Sequence, residues 1–403
     1  GAAIILPGLV NAHSHLELTV MRGYLEKEET NFFSWLRKLT LARLNLMTDD
    51  DVEVSALWGA CEAVRAGVTA VGDASDLGRC SMKALKSIGL RGIVFQESFG
   101  PDHRLANENF AKLKAKIIRL RELETALVKC GVSPHAPYTV CAAQLEMIAR
   151  FAIDQGLPLM MHAAETSMEV ALLSEGSGAF ADGLKSRGIE WQPPGLSTIQ
   201  YLRERGILAT QPLLAHCIHV DGADIETLRE TGSRIAHCPK SNSKLRHGVA
   251  PLAKFLEQGI VTGLGSDSVA SNNVCDLFEE ARYALLLARS GFAGNDTDLS
   301  AQDALQLATA GGARALGMSE QLGTLQEGMQ ADFAVVSLAG PHQVPVYDPI
   351  SALVFSSSAR DVVLTVVAGR EVYRDGRVTN ADEDRLRARM KEIGQKLAAD
   401  ERR

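Results

Sequence analysis

The segment Leu6-Pro7-Gly8-Leu9-Val10-Asn11-Ala12-His13-Ser14-His15 is an apolar run that ends in two histidines separated by one residue. Side chains alternate across a strand, so residues two apart face the same side. Two imidazoles aimed into one space where a strand stops can hold a divalent metal. Alone, such a pair is more often just two polar residues at a strand end. The rest of the chain decides the matter, because it repeats the pattern of apolar run and polar ending.

Short apolar runs occur at residues 6–11, 68–73, 90–97, 127–133, 157–162, 213–216, 234–238 and 261–267. Near-continuous apolar strands mark a sheet buried on both faces, and therefore a parallel one. Helical punctuation lies between them. Thr48 followed by Asp49, Asp50 and Asp51 supplies a cap and an acidic first turn. Gly67, Gly156, Gly232 and Gly259 each stop a helix just before the next run. Eight repeats of strand, helix and glycine predict an α/β fold, a (β/α)8 TIM-like barrel with right-handed crossovers, over residues 4–320. A helix over 301–316, opened by Ser300 and Asp303, leads out of it. Short strands and tight turns around 332–338, 362–367 and 371–373 then predict a small β-rich domain over 321–380. The charged residues 381–403 read as a solvated terminal helix.

Composition narrows the possible partners. The 403 residues are 46% hydrophobic and 23% charged, enough for a large core. The net charge of -7, with no Lys/Arg block, argues against nucleic acid. No apolar stretch approaches the roughly 20 residues of a membrane span, which argues against a membrane partner. Nothing at the start resembles a signal peptide. Seven scattered cysteines without C-x-x-C spacing fit a reduced, cytoplasmic protein in which they are small buried hydrophobes.

In such a barrel the chemistry lies where strands end at their C-terminal side. His13, His15, His135, His162, His216, His219 and His237, seven of the ten histidines, fall at these ends, and Asp73, Glu97, Glu165 and Asp267 join them. That clustering points to a metal site. A catalytic divalent metal needs hard or borderline ligands and one open position, and His13, His15, His162 and Asp267 are the best four. His216 either ligates or hydrogen-bonds the reacting water. A carboxylate beside the nucleophile must move its proton. Glu165, three residues after His162, can do so, and Asp267 can share that task.

Pro7–His15, together with His162-Ala163-Ala164-Glu165-Thr166, Leu214-Ala215-His216-Cys217 and Gly265-Ser266-Asp267-Ser268, resembles the ordered signatures of the amidohydrolase superfamily. Ser241-Asn242 and Ser271-Asn272-Asn273 are similar to its branch of chlorohydrolases, adenosylhomocysteine deaminases and aminodeoxyfutalosine deaminases. The resemblance covers essentially the whole chain. It implies one divalent metal per chain, zinc first and iron second, on His13, His15, His162 and Asp267. It further implies that His216 orients the attacking water and that Glu165 carries its proton to a ring nitrogen. The expected reaction is hydrolytic deamination of an adenine nucleoside derivative: aminodeoxyfutalosine first, S-adenosylhomocysteine or methylthioadenosine second. A chlorohydrolase, a cyclic amide hydrolase and a metal-binding relative without turnover are the alternatives. Small-molecule substrate and water are the implied partners, and a homodimer or larger assembly the implied state. Binuclear relatives carry a bridging lysine on the fourth strand. Lys129 sits well before that strand's end, so it reads as structural. Relatives have several strands before the Pro-Gly signature, so part of the small domain is expected to be absent from this stretch.

Among the remaining residues, Phe32, Phe33 and Trp35 in the loop after the first strand are candidates to stack on a purine, with simple core packing the equal alternative. Glu17 is a candidate contact for a ribose hydroxyl, or a plain loop carboxylate. His135, in a proline-flanked turn, is expected to hydrogen-bond substrate, and Ser271 and Asn272 to line its site. Asp73 and Glu97 read as supports for neighbouring groups, and His219 and His237 as orienting or core residues. Lys240, Ser241, Asn242 and Arg246 lie where a substrate tail would pass, with a solvated loop the nearly equal alternative.

Overall fold

The computed structural model describes residues 2–291 and 297–400. Thirteen strands are found among them: β1 (Ala3–Pro7), β2 (Leu9–Ser14), β3 (Val68–Ser75), β4 (Arg91–Ser98), β5 (Val128–Pro134), β6 (Met160–Ala163), β7 (Leu213–His216), β8 (Arg234–His237), β9 (Thr262–Leu264), β10 (Phe333–Ser337), β11 (Val362–Val367), β12 (Arg370–Arg374) and β13 (Arg377–Val378). Strands β2 to β5 pair in parallel in order, as do β6 to β9. Two parallel bridges, Val132 to Leu159 and Ser14 to Asp267, close these halves into an eight-stranded barrel. At the seams Val132 N donates to Pro158 O at 3.0 Å and Asp267 N to His13 O at 2.9 Å. Every residue of β3 and β4 is buried, as strands covered on both faces require.

The helices follow their punctuation. Asp49–Arg65 starts from a capping box in which Thr48 and Asp51 exchange hydrogen bonds, and Ala142–Gln155 ends at left-handed Gly156. The helix expected over 301–316 forms as Ala301–Gln306, a wider turn of π type at Leu307–Gly311, and Gly312–Ala315. It crosses the base of the barrel, where Ala313, Ala315, Leu316 and Leu322 pack with Val10, Ala70, Phe95 and Met160. A Cβ on Gly312 would stand 2.5 Å from Val10 O, so only glycine lets the two backbones approach this closely.

Residues 6–11, read above as one strand, are divided at Gly8. Residues 3–7 form β1, which runs antiparallel to β10 in a five-stranded sheet of order β1-β10-β11-β12-β13. The barrel strand β2 begins only at Leu9. A side chain at position 8 would collide with Thr69, which fixes where the chain passes from one sheet to the other. The start of this chain thus supplies a strand of the small sheet. Sheet and barrel are joined by a buried pair in which Arg91 donates two hydrogen bonds to Asp332, at 3.0 and 3.1 Å. The terminal helix differs from its solvated reading. Over Glu383–Asp400 it packs on Asp49–Arg65, burying Ile393 and Leu397, with Lys396 Nζ 3.0 Å from Asp51; residues 401–403 lie outside the described residues. All seven cysteines are free and buried. Among the described residues no helix is long and apolar enough to cross a membrane.

Candidate active site

The histidine pair is not placed by simple alternation. The register of β2 against β3 shifts between Asn11 and Ser14, across His13, a local irregularity that re-aims side chains. Asp73 at the end of β3 then accepts hydrogen bonds from Leu16 N (2.7 Å) and Ser14 Oγ (3.2 Å), fixing the backbone around His15. His162 comes from β6, and Asp267 follows β9.

Ligand atoms of His13, His15, His162 and Asp267 all lie within 4.8 Å of one another, and all four residues are buried. His15 Nε2 and His162 Nε2 are 3.2 Å apart in nearly parallel rings. Asp267 Oδ1 is 3.4 Å from His13 Nε2 and 3.6 Å from His15 Nε2. Burial, with His13 beside it, pushes His15 down to about 3, and burial with His135 holds His162 well below the usual imidazole range. Both rings are therefore neutral near pH 7, with lone pairs available. His162 Nδ1 donates to His135 O (2.9 Å), which turns its Nε2 inward, and His13 Nε2 is buried with no hydrogen bond among the described residues. Although burial opposes its charge, Asp267 is held well below the carboxylate range by His13, His216 and His15. Two neutral imidazoles and an ionised carboxylate converging on one point, with the buried Nε2 of His13 beside them, suit a divalent cation. Lys129 is half-exposed at the base, 3.8 Å from Glu124, and takes no part.

Glu165 stands beside this set. Tyr138 donates from its hydroxyl to Glu165 Oε2 (3.0 Å), while Oε1 is 3.6 Å from both His216 Nε2 and His247 Nε2. Burial, then the charges of Asp267 and Glu169, raises Glu165 well above its ordinary value, so it can hold a proton near neutrality. His216 Nδ1 donates to Asn242 Oδ1 at 2.8 Å, leaving Nε2 buried, unpartnered and facing Glu165. Four residues here carry positive φ without being glycine: Ala164 at 52°, His216 at 75°, Cys217 at 47° and Asp267 at 55°. Left-handed backbone of this kind is costly and clusters at functional sites.

The site opens into a cavity of about 880 Å³ lined by, among others, Glu17, Phe32, Trp35, Glu97, His135 and Tyr138. Phe32 and Trp35 begin the helix Phe32–Leu46, which forms one wall. Phe32 also packs edge-on against His247, and Tyr138 stacks on Phe180. His135 reaches this cavity, with Nδ1 donating to Thr139 Oγ1 at 2.8 Å. Glu17 lines it too, but its oxygens are occupied by Ser75 Oγ (2.6 Å), Asp76 N (3.0 Å) and Leu77 N (3.0 Å), so it has the character of a structural carboxylate. Ser271 and Asn272, expected to line the substrate site, lie beneath it. Ser271 Oγ donates to Asp267 Oδ2 (2.8 Å), as does Ser241 Oγ (2.5 Å), and Asn272 donates to Ser266 O and to Glu280 Oε1. The turn after β9 folds back under Asp267, which puts both side chains on its far side. Tyr138, His247 and Glu169 had no counterpart in the sequence reading. Glu169 accepts from Ala164 N, Glu165 N and Thr198 Oγ1, pinning the turn that presents Glu165. A carboxylate four residues after Glu165, opening a helix, was the only available hint.

A closed barrel with three imidazoles and a carboxylate at its mouth, beside a buried carboxyl able to carry a proton, has the parts of a water-activating hydrolase, and its family and deaminase relatives make it one that acts on carbon–nitrogen bonds other than peptide bonds. The chain belongs to the amidohydrolase family, whose sequence profile matches residues 4–372. It is 33% identical to a 5-methylthioadenosine/S-adenosylhomocysteine deaminase of Syntrophobacter fumaroxidans over 98% of this chain and 86% of that protein. It is 32% identical to a 5′-deoxyadenosine deaminase of Methanosarcina mazei, over 98% and 87%. Among solved structures, an adenosine deaminase from Xanthomonas campestris with bound zinc superimposes with a TM-score of 0.86 at 27% identity, covering 98% of this chain and 86% of that one.

Proposed function

We propose that this chain is a metal-dependent deaminase of adenine nucleosides altered at the 5′ carbon. The relatives named above share an adenine nucleoside whose 5′ hydroxyl is replaced, a description that aminodeoxyfutalosine also meets. The observation that carries the chemistry is Glu165, buried beside the ligand set, with Oε2 held by Tyr138 and Oε1 turned inward.

His13, His15, His162 and Asp267 would hold one ion, zinc by analogy with the Xanthomonas enzyme and iron as the alternative. When bound, it would lower the pKa of water from about 15.7 to about 7, supplying a nucleophile at neutral pH. The protein does the rest. Ser241 and Ser271 lock Asp267 Oδ2, so Oδ1 stays aimed at the ligand set. Glu165 Oε1 takes the proton of the attacking water and delivers it to the ring nitrogen next to the reacting carbon. His216 Nε2, fixed by Asn242, steadies the oxygen being added. The carbon–nitrogen bond then breaks: the ring keeps oxygen and one proton, and the amino group leaves as ammonia with the other. Phe32, Trp35 and Phe180 exclude bulk water from these transfers.

An ammonia-release screen over 5′-methylthioadenosine, S-adenosylhomocysteine, 5′-deoxyadenosine, aminodeoxyfutalosine, guanine and a chlorotriazine tests the reading. Turnover of at least one adenine nucleoside, with guanine and the triazine inert, is expected. The opposite pattern would overturn the substrate class.

A further inference from the structure

Of the residues lining the cavity, only Glu97 and Arg43 carry a buried side-chain polar atom with no partner among the described residues. Arg43 is partly exposed, whereas Glu97, near the end of β4, is 5% exposed, lines the cavity, and has no hydrogen bond on its carboxylate among the described residues. Glu97 lies against the ligand set: a carboxylate oxygen of Glu97 and ring nitrogens of His135 and His162 are all within 4.8 Å of one another. Two neighbouring acids that also line the cavity, Glu17 and Asp76, are already engaged. Glu17 is saturated by Ser75, Asp76 N and Leu77 N, and Asp76 Oδ1 accepts from Lys116 Nζ at 2.9 Å. A buried acceptor left unpartnered costs stability, and such groups in native proteins call for a missing partner.

The chemistry of the proposed substrate limits what that partner is. Apart from the amino group that is lost, the adenine ring offers only acceptor nitrogens. In 5′-deoxyadenosine and 5′-methylthioadenosine the remaining hydrogen-bond donors are the hydroxyls on the 2′ and 3′ carbons of the sugar. A ring that gives its reacting carbon to the ligand set and the adjacent nitrogen to Glu165 leaves its sugar to the remaining polar lining of the cavity, which includes Glu97 and His135.

We propose that Glu97 is a specificity-determining residue that accepts hydrogen bonds from the ribose hydroxyls of the substrate, with His135 beside it completing the polar edge of the sugar subsite. This inference rests on the nucleoside deaminase reading. Steady-state kinetics on 5′-deoxyadenosine and its 2′-deoxy and 3′-deoxy counterparts test the two separately. For the unmodified enzyme, kcat/KM should fall about tenfold or more when a hydroxyl is removed, mainly through KM, because the site's acceptor is then left unpaired. In Glu97→Ala the three substrates should converge to within about threefold of one another, with bound metal unchanged. Glu97→Gln, of the same shape, guards against misfolding: it should keep partial discrimination and a thermal midpoint no lower than that of the parent. Equal kcat/KM for all three sugars in the unmodified enzyme overturns the proposal, as does discrimination that survives in Glu97→Ala. If no adenine nucleoside is deaminated at all, the functional reading falls and takes this inference with it.

Discussion

The two ends of the barrel share eight strands but differ in what they gather: an apolar cluster at one, and imidazoles, carboxylates and left-handed backbone at the other. At the base, Val10, Ala70, Phe95 and Met160 form one apolar cluster with Ala313, Leu316 and Leu322, with Gly312 allowing backbone contact, and the buried charges of Arg91 and Asp332 are paired with each other. A few residues further along the same strands, the mouth gathers His13, His216, His247 and Glu97, each with a buried polar atom lacking a partner. His216 and Asp267 there also hold left-handed backbone. The contrast teaches where stability and function reside: the base specifies the fold, while the mouth keeps donors and acceptors unsatisfied so that an ion and a substrate can satisfy them.

Substitutions can break that division, beginning with the largest expected effect. Glu165→Gln removes the proton carrier without changing its size, and kcat should fall by about 10²–10⁴ with metal content and thermal midpoint near those of the parent. A smaller loss is expected for Ser271→Ala. It deletes one of two hydroxyls on Asp267 Oδ2, and metal affinity or kcat should drop roughly 10–100-fold. An undiminished Ser271→Ala enzyme would return Ser271 to the set of inert surroundings. At the other end, Gly312→Ala forces a Cβ against Val10 O and should cost about 1–3 kcal/mol in urea unfolding, with KM unchanged for the folded protein. If that variant instead lost activity at full stability, the separation of base from mouth would be wrong.

Much of this organisation was legible in the sequence, for physical reasons that also explain the gaps. Strands buried on both faces leave continuous apolar runs, and left-handed glycines such as Gly156 and Gly232 mark where helices stop. Histidines at the ends of such runs mark the mouth, so His13, His15, His162, His216 and Asp267 could be singled out from spacing and from ordered signatures. The transfer of residues 3–7 to another sheet was hidden, because an apolar run does not reveal its pairing partner. Ser271 and Asn272 were misplaced because a turn's direction depends on contacts distant in sequence, here between the segment after β9 and Ser241 or Glu280. Tyr138, His247 and Glu169 were unreadable for the same reason: their hydrogen bonds exist only once separate loops converge over the cavity.

The central claim is that His13, His15, His162 and Asp267 form one ion site on which deamination depends. It is tested most directly by measuring bound metal per chain and ammonia release on the same sample, before chelation, after it, and after restoring zinc or iron. About one ion per chain is predicted, with activity lost on removal and recovered in proportion to the ion restored. Full ammonia release from metal-free protein, or activity requiring two ions per chain, would contradict the account.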